Sequence, residues 1–320
     1  MSDPNPSNPS GPPGPPDPSF IDRPARARDP FTSPANLALV IDAQIESLQR
    51  EITALKDEIN MLRRKDETLN FHMVRLDEEM RLAAKLQQDF LPRSLPQVGP
   101  VHFHTLFRPA GYVSGDLYDV MRLDEQHVGF FVADAVGHGM PAALLTMFIK
   151  RALVTKQIIP GGYRLLPPGE TMARLNDALV EQDLTQATFA TALYGFINTQ
   201  TLTITFARSG HPSPLLLGAS GDFRTIDADG GLLGIFPNEQ YAQATLQLAP
   251  GDRFLIYSDG LEVAFSDDEI VDTQRWRREL LKRRALTSEA LLTDFAAHLD
   301  AENGSLAPKD DVTMILLEVK

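Results

Sequence analysis

Apolar residues recur along this chain with different periods, and each period predicts a different element. From Ile41 onward, Ile45, Leu48, Ile52, Leu55, Ile59 and Leu62 alternate steps of three and four residues, which lines them up as one seam of a helix. Ile falls at the a positions and Leu at the d positions, a choice that favours two parallel strands. Glu51, Lys56, Asp57 and Glu58 keep the other faces wet. The spacing therefore predicts a coiled coil that pairs two copies of the chain as a parallel homodimer through residues 41–83. The register runs on through Leu69, Met73, Leu76, Met80 and Ala83, but Asp66 takes an a position and sets two carboxylates near the dimer axis. A tolerated register marker is the favoured reading of Asp66; the other is a weakened segment through which an upstream event reaches the rest of the chain.

Pro92 and Pro96 stop this helix after Phe90 and Leu91, and the pattern then shortens. Apolar runs predict strands at 101–107, 127–133, 189–197, 202–208, 213–217, 242–248, 253–258 and 312–319. Longer amphipathic patterns predict helices near 141–157, 170–184, 272–284 and 288–302. Short turns such as Asn198-Thr199-Gln200 imply antiparallel pairing, and the helices are grouped rather than strictly alternating with strands. A layered α+β fold follows, with sheets covered by helices. Residues 1–35 carry 11 of the 24 prolines and few large apolar side chains, too little to offset the entropy of ordering, so a disordered tail is expected. The chain thus divides into a tail (1–35), a helical stalk (36–91) and a compact domain (92–320).

Composition narrows the chemistry. Cysteine is absent, which excludes disulfides, thiolate metal sites and a cysteine nucleophile and fits a reducing compartment. A net charge of −13 argues against nucleic acid as the main partner and favours a protein. No stretch has the apolar length of a membrane span and the first twenty residues lack a signal core, so a cytoplasmic protein without membrane insertion is expected.

Four acidic motifs remain: Ser114-Gly115-Asp116, Ala133-Asp134-Ala135-Val136-Gly137-His138-Gly139, Ser258-Asp259-Gly260 and Lys309-Asp310-Asp311-Val312-Thr313. Each stands beside an apolar run, so each delivers a carboxylate to a strand tip. Carboxylates brought together repel one another and resist burial, so such a cluster persists mainly around a cation, and an all-oxygen set suits Mg²⁺ or Mn²⁺. Gly137-His138-Gly139 turns a buried strand into a helix opened by Pro141, an elbow that presents Asp134 at the sheet edge. His138 has two equal readings, a proton donor or phosphate contact and a residue that merely satisfies the turn. Ser209-Gly210-His211-Pro212 lacks the strand-turn-helix setting of a serine nucleophile, so His211 is read as shaping the rim or contacting substrate, or simply as a turn residue. His72 is a surface residue of the stalk. The basic run from Arg275 to Arg284 has two readings, a patch for an acidic or phosphorylated partner and, the favoured one, the solvated face of an amphipathic helix around Trp276, Leu280 and Leu281.

Taken in order, these motifs resemble the metal-dependent PPM-class protein serine/threonine phosphatases, in the bacterial branch typified by SpoIIE and RsbU. The likeness covers about residues 84–319. It is carried also by Leu86-Gln87-Gln88-Asp89-Phe90-Leu91-Pro92, Arg108-Pro109-Ala110, Met140-Pro141-Ala142-Ala143-Leu144-Leu145, Gly231-Leu232-Leu233-Gly234 and Leu261-Glu262. The resemblance implies an α/β/β/α sandwich of two central antiparallel sheets flanked by helices, with two Mg²⁺ or Mn²⁺ ions at one end. It implies Asp134 as the bridging ligand, the Ala135 carbonyl as a further one, and Asp116, Asp259 and Asp310 completing a catalytic set, with Asp311 as the alternative for the last place. Arg108, His138 and His211 are the substrate-binding candidates. In-line attack of an activated water on phosphorus, without a phosphoenzyme, is implied. Relatives commonly act on a phosphorylated anti-sigma-factor antagonist, which makes that the expected partner. The alternative is a partner-switching scaffold that binds such a regulator without turnover. Ser114, Ala133 and the Ala135-Val136 pair depart from the usual pattern, yet none of these changes deletes a carboxylate.

Overall fold

A computed structural model describes residues 34–182, 188–265, 275–302 and 309–320. The tail expected at 1–35 lies, up to residue 33, outside the described residues, as do the last residues of the helix expected to reach 184 and the first of that expected from 272. The chain divides into two units at His72/Met73. In the first, helix α1 (Pro34–Asp89) leaves every described side chain from 35 to 72 exposed. The seam itself is open, with Ile45 at 46% and Leu55 at 51% of full exposure.

The second unit contains two five-stranded antiparallel sheets. One has the order β1-β12-β11-β8-β9, formed by β1 (Val101–Arg108), β8 (Leu215–Leu217), β9 (Phe223–Thr225), β11 (Arg253–Tyr257) and β12 (Val312–Val319). The other has the order β10-β7-β6-β3-β2, formed by β2 (Asp116–Arg122), β3 (His127–Ala135), β6 (Ala190–Asn198), β7 (Thr203–Ser209) and β10 (Gln243–Gln247). Alternate residues of each strand point to opposite faces, so neighbouring apolar residues serve different layers. Phe130, Val132, Ile315 and Leu317 fill the space between the sheets with Phe206 and Phe254. Phe131 and Ala133 face outward onto α2 (Met140–Ala152) and α3 (Pro168–Val180), where Leu145, Ile149, Met172 and Leu175 close over them. Met314 and Leu316 face outward on the other sheet and meet Trp276 and Leu280 of α5 (Arg275–Lys282) and Leu291 and Phe295 of α6 (Ser288–Glu302). Each such side chain contributes about 1.5–3 kcal/mol by leaving water, and three packed layers together hold the α/β/β/α sandwich.

Three local expectations change. The helix expected over 141–157 stops at Ala152, because β-branched Val154 and Thr155 lead into a hairpin, β4 (Lys156–Ile159) and β5 (Gly162–Leu165), turning at Pro160-Gly161. Residues 116–122, read as a motif and not as a strand, form β2 along the edge of β3. A five-residue helix, α4 (Gly260–Ala264), directly follows Asp259.

Candidate metal and catalytic site

Strand register brings the first two aspartates together: Asp116 opens β2 directly opposite Asp134 near the end of β3. Asp259 leaves the end of β11 and Asp310 and Asp311 precede β12, so both sheets contribute to one rim. Two backbone features make this possible. Gly137 and Gly139 hold φ of +88° and +74°, left-handed values that turn β3 sharply into α2. Gly260 packs so closely that an added Cβ would collide with the Asp311 carbonyl oxygen.

Asp116 is 1% exposed, and its Oδ2 accepts a 2.5 Å hydrogen bond from the Thr313 hydroxyl. Burial, then the neighbouring Asp134, pushes its carboxyl well above the usual range, against the hydroxyls of Thr313 and Ser258, which favour the charged form. Burial also lifts Asp134 to about 8, with Asp259 and Asp310 adding repulsion. Asp310 is raised by desolvation and by its neighbours Asp259 and Asp311, while His138 acts in the opposite sense. Asp311 is different: its two oxygens accept the backbone N–H groups of Ala110 at 2.7 Å and Gly115 at 2.6 Å.

The remaining residues are spread around this rim. Ala135 is buried and its N–H donates to the Gly115 carbonyl at 3.0 Å. His138 is exposed and lines, with Met80, Tyr112, Val113, Met140 and Asp310, a cleft of about 600 Å³. His211 is wholly buried, with Nδ1 2.9 Å from the Thr191 hydroxyl, and burial holds its imidazole down at about 3 and so neutral. Thr191 lies directly across from Asp134 on β6, which puts His211 behind the site. Arg108 stands 3.9 Å from Asp300 in a separate groove beside α6. Sequence reasoning quoted Ser258, Thr313 and Gln87 only as parts of motifs. A hydroxyl residue within two positions of each late aspartate, Ser258 next to Asp259 and Thr313 two after Asp311, was the available signal for the first two.

Asp116, Asp134 and Asp310, each with raised proton affinity, and Asp259 beside them are an all-oxygen donor set that fits a hard divalent ion. Among the described residues, no three His, Asp or Glu side chains already stand as a finished coordination shell.

A profile of the family described as Stage II sporulation protein E (SpoIIE) matches residues 124–320. The chain belongs to the SpoIIE family. Phosphoserine phosphatase RsbU of Bacillus subtilis (strain 168) is 26% identical over 256 residues, covering 79% of this chain and 74% of RsbU. Phosphoserine phosphatase RsbP of the same organism is 28% identical over 250 residues, covering 76% of this chain and 58% of RsbP. The chain spans 74% and 58% of the length of these two relatives and 41% of a third, Protein IcfG of Synechocystis sp.. The solved SiaA-PP2C domain of Pseudomonas aeruginosa superposes with a TM-score of 0.66 at 23% identity, covering 78% of this chain and 98% of that domain. The sandwich of this SpoIIE-family chain is therefore a PP2C-like fold.

Proposed function

We propose that this chain is a divalent-metal-dependent phosphoprotein phosphatase that removes phosphate from phosphoserine or phosphothreonine on a cytoplasmic regulatory protein, an anti-sigma-factor antagonist. The observation that carries this reading is the convergence of Asp116, Asp134, Asp259 and Asp310 from both sheets, with Asp134 raised to about 8. Those four carboxylates and the Ala135 carbonyl would hold two Mg²⁺ or Mn²⁺ ions. When bound, such ions acidify a water and neutralise charge on the phosphoryl group. The chain's own residues prepare the site. Thr313 and Ser258 fix Asp116. Neutral His211 supports Thr191 behind Asp134. His138, at the open side beside Asp310, offers an imidazole to the phosphate or to the departing oxygen. Arg108, paired with Asp300, suits the surface of a protein substrate outside the cleft.

The enzyme acts as a parallel homodimer through residues 41–83. The open Ile/Leu seam supports this, and so do the flanking charges. In a parallel alignment Glu51 and Glu58 at g positions face Lys56 and Arg63 at e positions of the second copy; an antiparallel one sets like charges together.

Phosphate release from a phosphoserine protein, followed with and without Mn²⁺, tests the activity. Release is expected to need Mn²⁺ and to fall about 100-fold or more in Asp134→Asn and Asp259→Asn. Undiminished release in both variants rules the mechanism out. Tight binding of the phosphoprotein without turnover or Mn²⁺ uptake supports a partner-switching scaffold instead.

A further inference from the structure

We propose that Asp311 and Gln87 are positioning residues that clasp the Ser114-Gly115 peptide and so fix Asp116, leaving Asp310 as the member of the aspartate pair that serves the cleft. The inference deepens the phosphatase reading and rests on it for the role of Asp116; the clasp itself is independent of metal.

The loop between β1 and β2 runs past Ala110 to Gly115, and its two ends aim their N–H groups at one carboxylate. Asp311 is 8% exposed and takes Ala110 on Oδ1 and Gly115 on Oδ2, both charge-assisted bonds. Between those anchor points, Gln87 reads Ser114 at both of its backbone groups. Its Oε1 accepts the Ser114 N–H at 2.8 Å and its Nε2 donates to the Ser114 carbonyl at 2.7 Å, with Gln87 only 7% exposed. The Gly115 carbonyl accepts the Ala135 N–H, and the Asp116 N–H donates to the Ser114 hydroxyl at 3.0 Å. All main-chain polar groups of Ser114 and Gly115 are thus paired, and three of those four pairings use side chains distant in sequence. A peptide held at both residues leaves Asp116 one orientation, under Thr313.

Asp310 has the opposite surroundings. It is exposed, its Oδ1 accepts the Asp311 N–H at 2.8 Å, and it lines the cleft with His138. One aspartate of the pair binds backbone and the other faces solvent. The chemistry of the variants follows from donor and acceptor counts. Asp311→Asn replaces one acceptor oxygen by a donor that opposes an N–H. Gln87→Glu keeps the bond to the Ser114 N–H but sets an acceptor against its carbonyl.

Two measurements on the purified full chain test this: hydrogen exchange of the 109–117 segment in metal-free protein, and Mn²⁺ affinity by calorimetry. Asp311→Asn and Gln87→Glu are expected to speed exchange of that segment by about tenfold, the size of one lost buried partner. Their Mn²⁺ affinity should fall about 10- to 100-fold, as for other supporting contacts, with turnover of p-nitrophenyl phosphate recovering as Mn²⁺ is raised and KM unchanged. Asp310→Asn should leave exchange untouched and lose more Mn²⁺ affinity than either. Unaltered exchange in both Asp311→Asn and Gln87→Glu overturns the clasp, and so does loss of Mn²⁺ binding in Asp311→Asn at wild-type exchange, which would make Asp311 a ligand. Should Asp311→Asn fail to fold, the conservative Gln87→Glu decides alone. A wild-type protein that binds no Mn²⁺ sinks the phosphatase reading, whereas the exchange comparison still decides the clasp.

Discussion

Asp134 carries a folded-state proton affinity of about 8 against an ordinary carboxylate value of 3.8, because burial and the charges of Asp259 and Asp310 disfavour its ionised form. A folded pKa above the unfolded one means that stability is fully present below about pH 4 and is lost as pH rises through about 8. Metal-free protein is expected to melt at a lower temperature near pH 8 than near pH 5.5, and Mn²⁺ should stabilise it more at the higher pH, since ion and proton compete for the same oxygens. Asp134→Asn should reduce the pH dependence, raise the metal-free Tm near pH 8 by about 2–4 °C and abolish the response to Mn²⁺. Scanning calorimetry at both pH values checks this; a metal-free Tm that rises toward pH 8 contradicts it. The aspartates were legible in the sequence because each follows or precedes an apolar run. The pairing of Asp311 with Ala110 and Gly115 was not, because its bonds join positions about two hundred residues apart and leave no local pattern. His211 had two readings from its glycine-proline setting, a rim or substrate contact and a structural turn residue; it lies buried behind Thr191, a placement only the register of β6 against β3 reveals.

Elements with a sustained period were the most readable. Helix α1, the long strands β3, β6 and β12, and helix α6 occupy nearly the spans their apolar patterns mark. Boundaries decided by one or two residues were not: Val154 and Thr155 are tolerated in helices, and only the pairing of β4 with β5 shows that they end α2. Strand β2 was hidden because its aspartates look like turn residues until β3 supplies a partner. The exposed seam of α1 makes a direct demand on its environment. Leu55→Cys, in a chain without other cysteines, is expected to cross-link to itself under mild oxidation, because d positions meet across the axis of a parallel pair. Reversal of Glu51 and Glu58 to Lys should weaken the dimer, and reversal of Lys56 and Arg63 to Glu in the same chain should restore it. Sedimentation and non-reducing gels report both, and a monomer at micromolar concentration with no cross-link speaks against a paired stalk.

At the scale of the whole molecule, both sheets are needed to make one site. Sheet β10-β7-β6-β3-β2 brings Asp116 and Asp134, sheet β1-β12-β11-β8-β9 brings Asp259 and Asp310, and three apolar layers fix the distance between them. The order of layers and the gathering of the aspartates at one end followed from the apolar runs together with the family resemblance; the register that sets Asp116 directly opposite Asp134 did not, because it depends on how β2 pairs with β3. The net charge of −13 accompanies a cleft rich in carboxylates, a field that favours divalent cations over free phosphate. Anomalous diffraction from crystals grown with Mn²⁺ measures that centre directly. The expected result is two metal peaks at the rim, with carboxylate oxygens of Asp134, Asp116, Asp259 and Asp310 within about 2.0–2.3 Å of one or the other. Full Mn²⁺ occupancy elsewhere, with Asp116, Asp134 and Asp259 turned apart and no peak among them, would contradict a shared metal site.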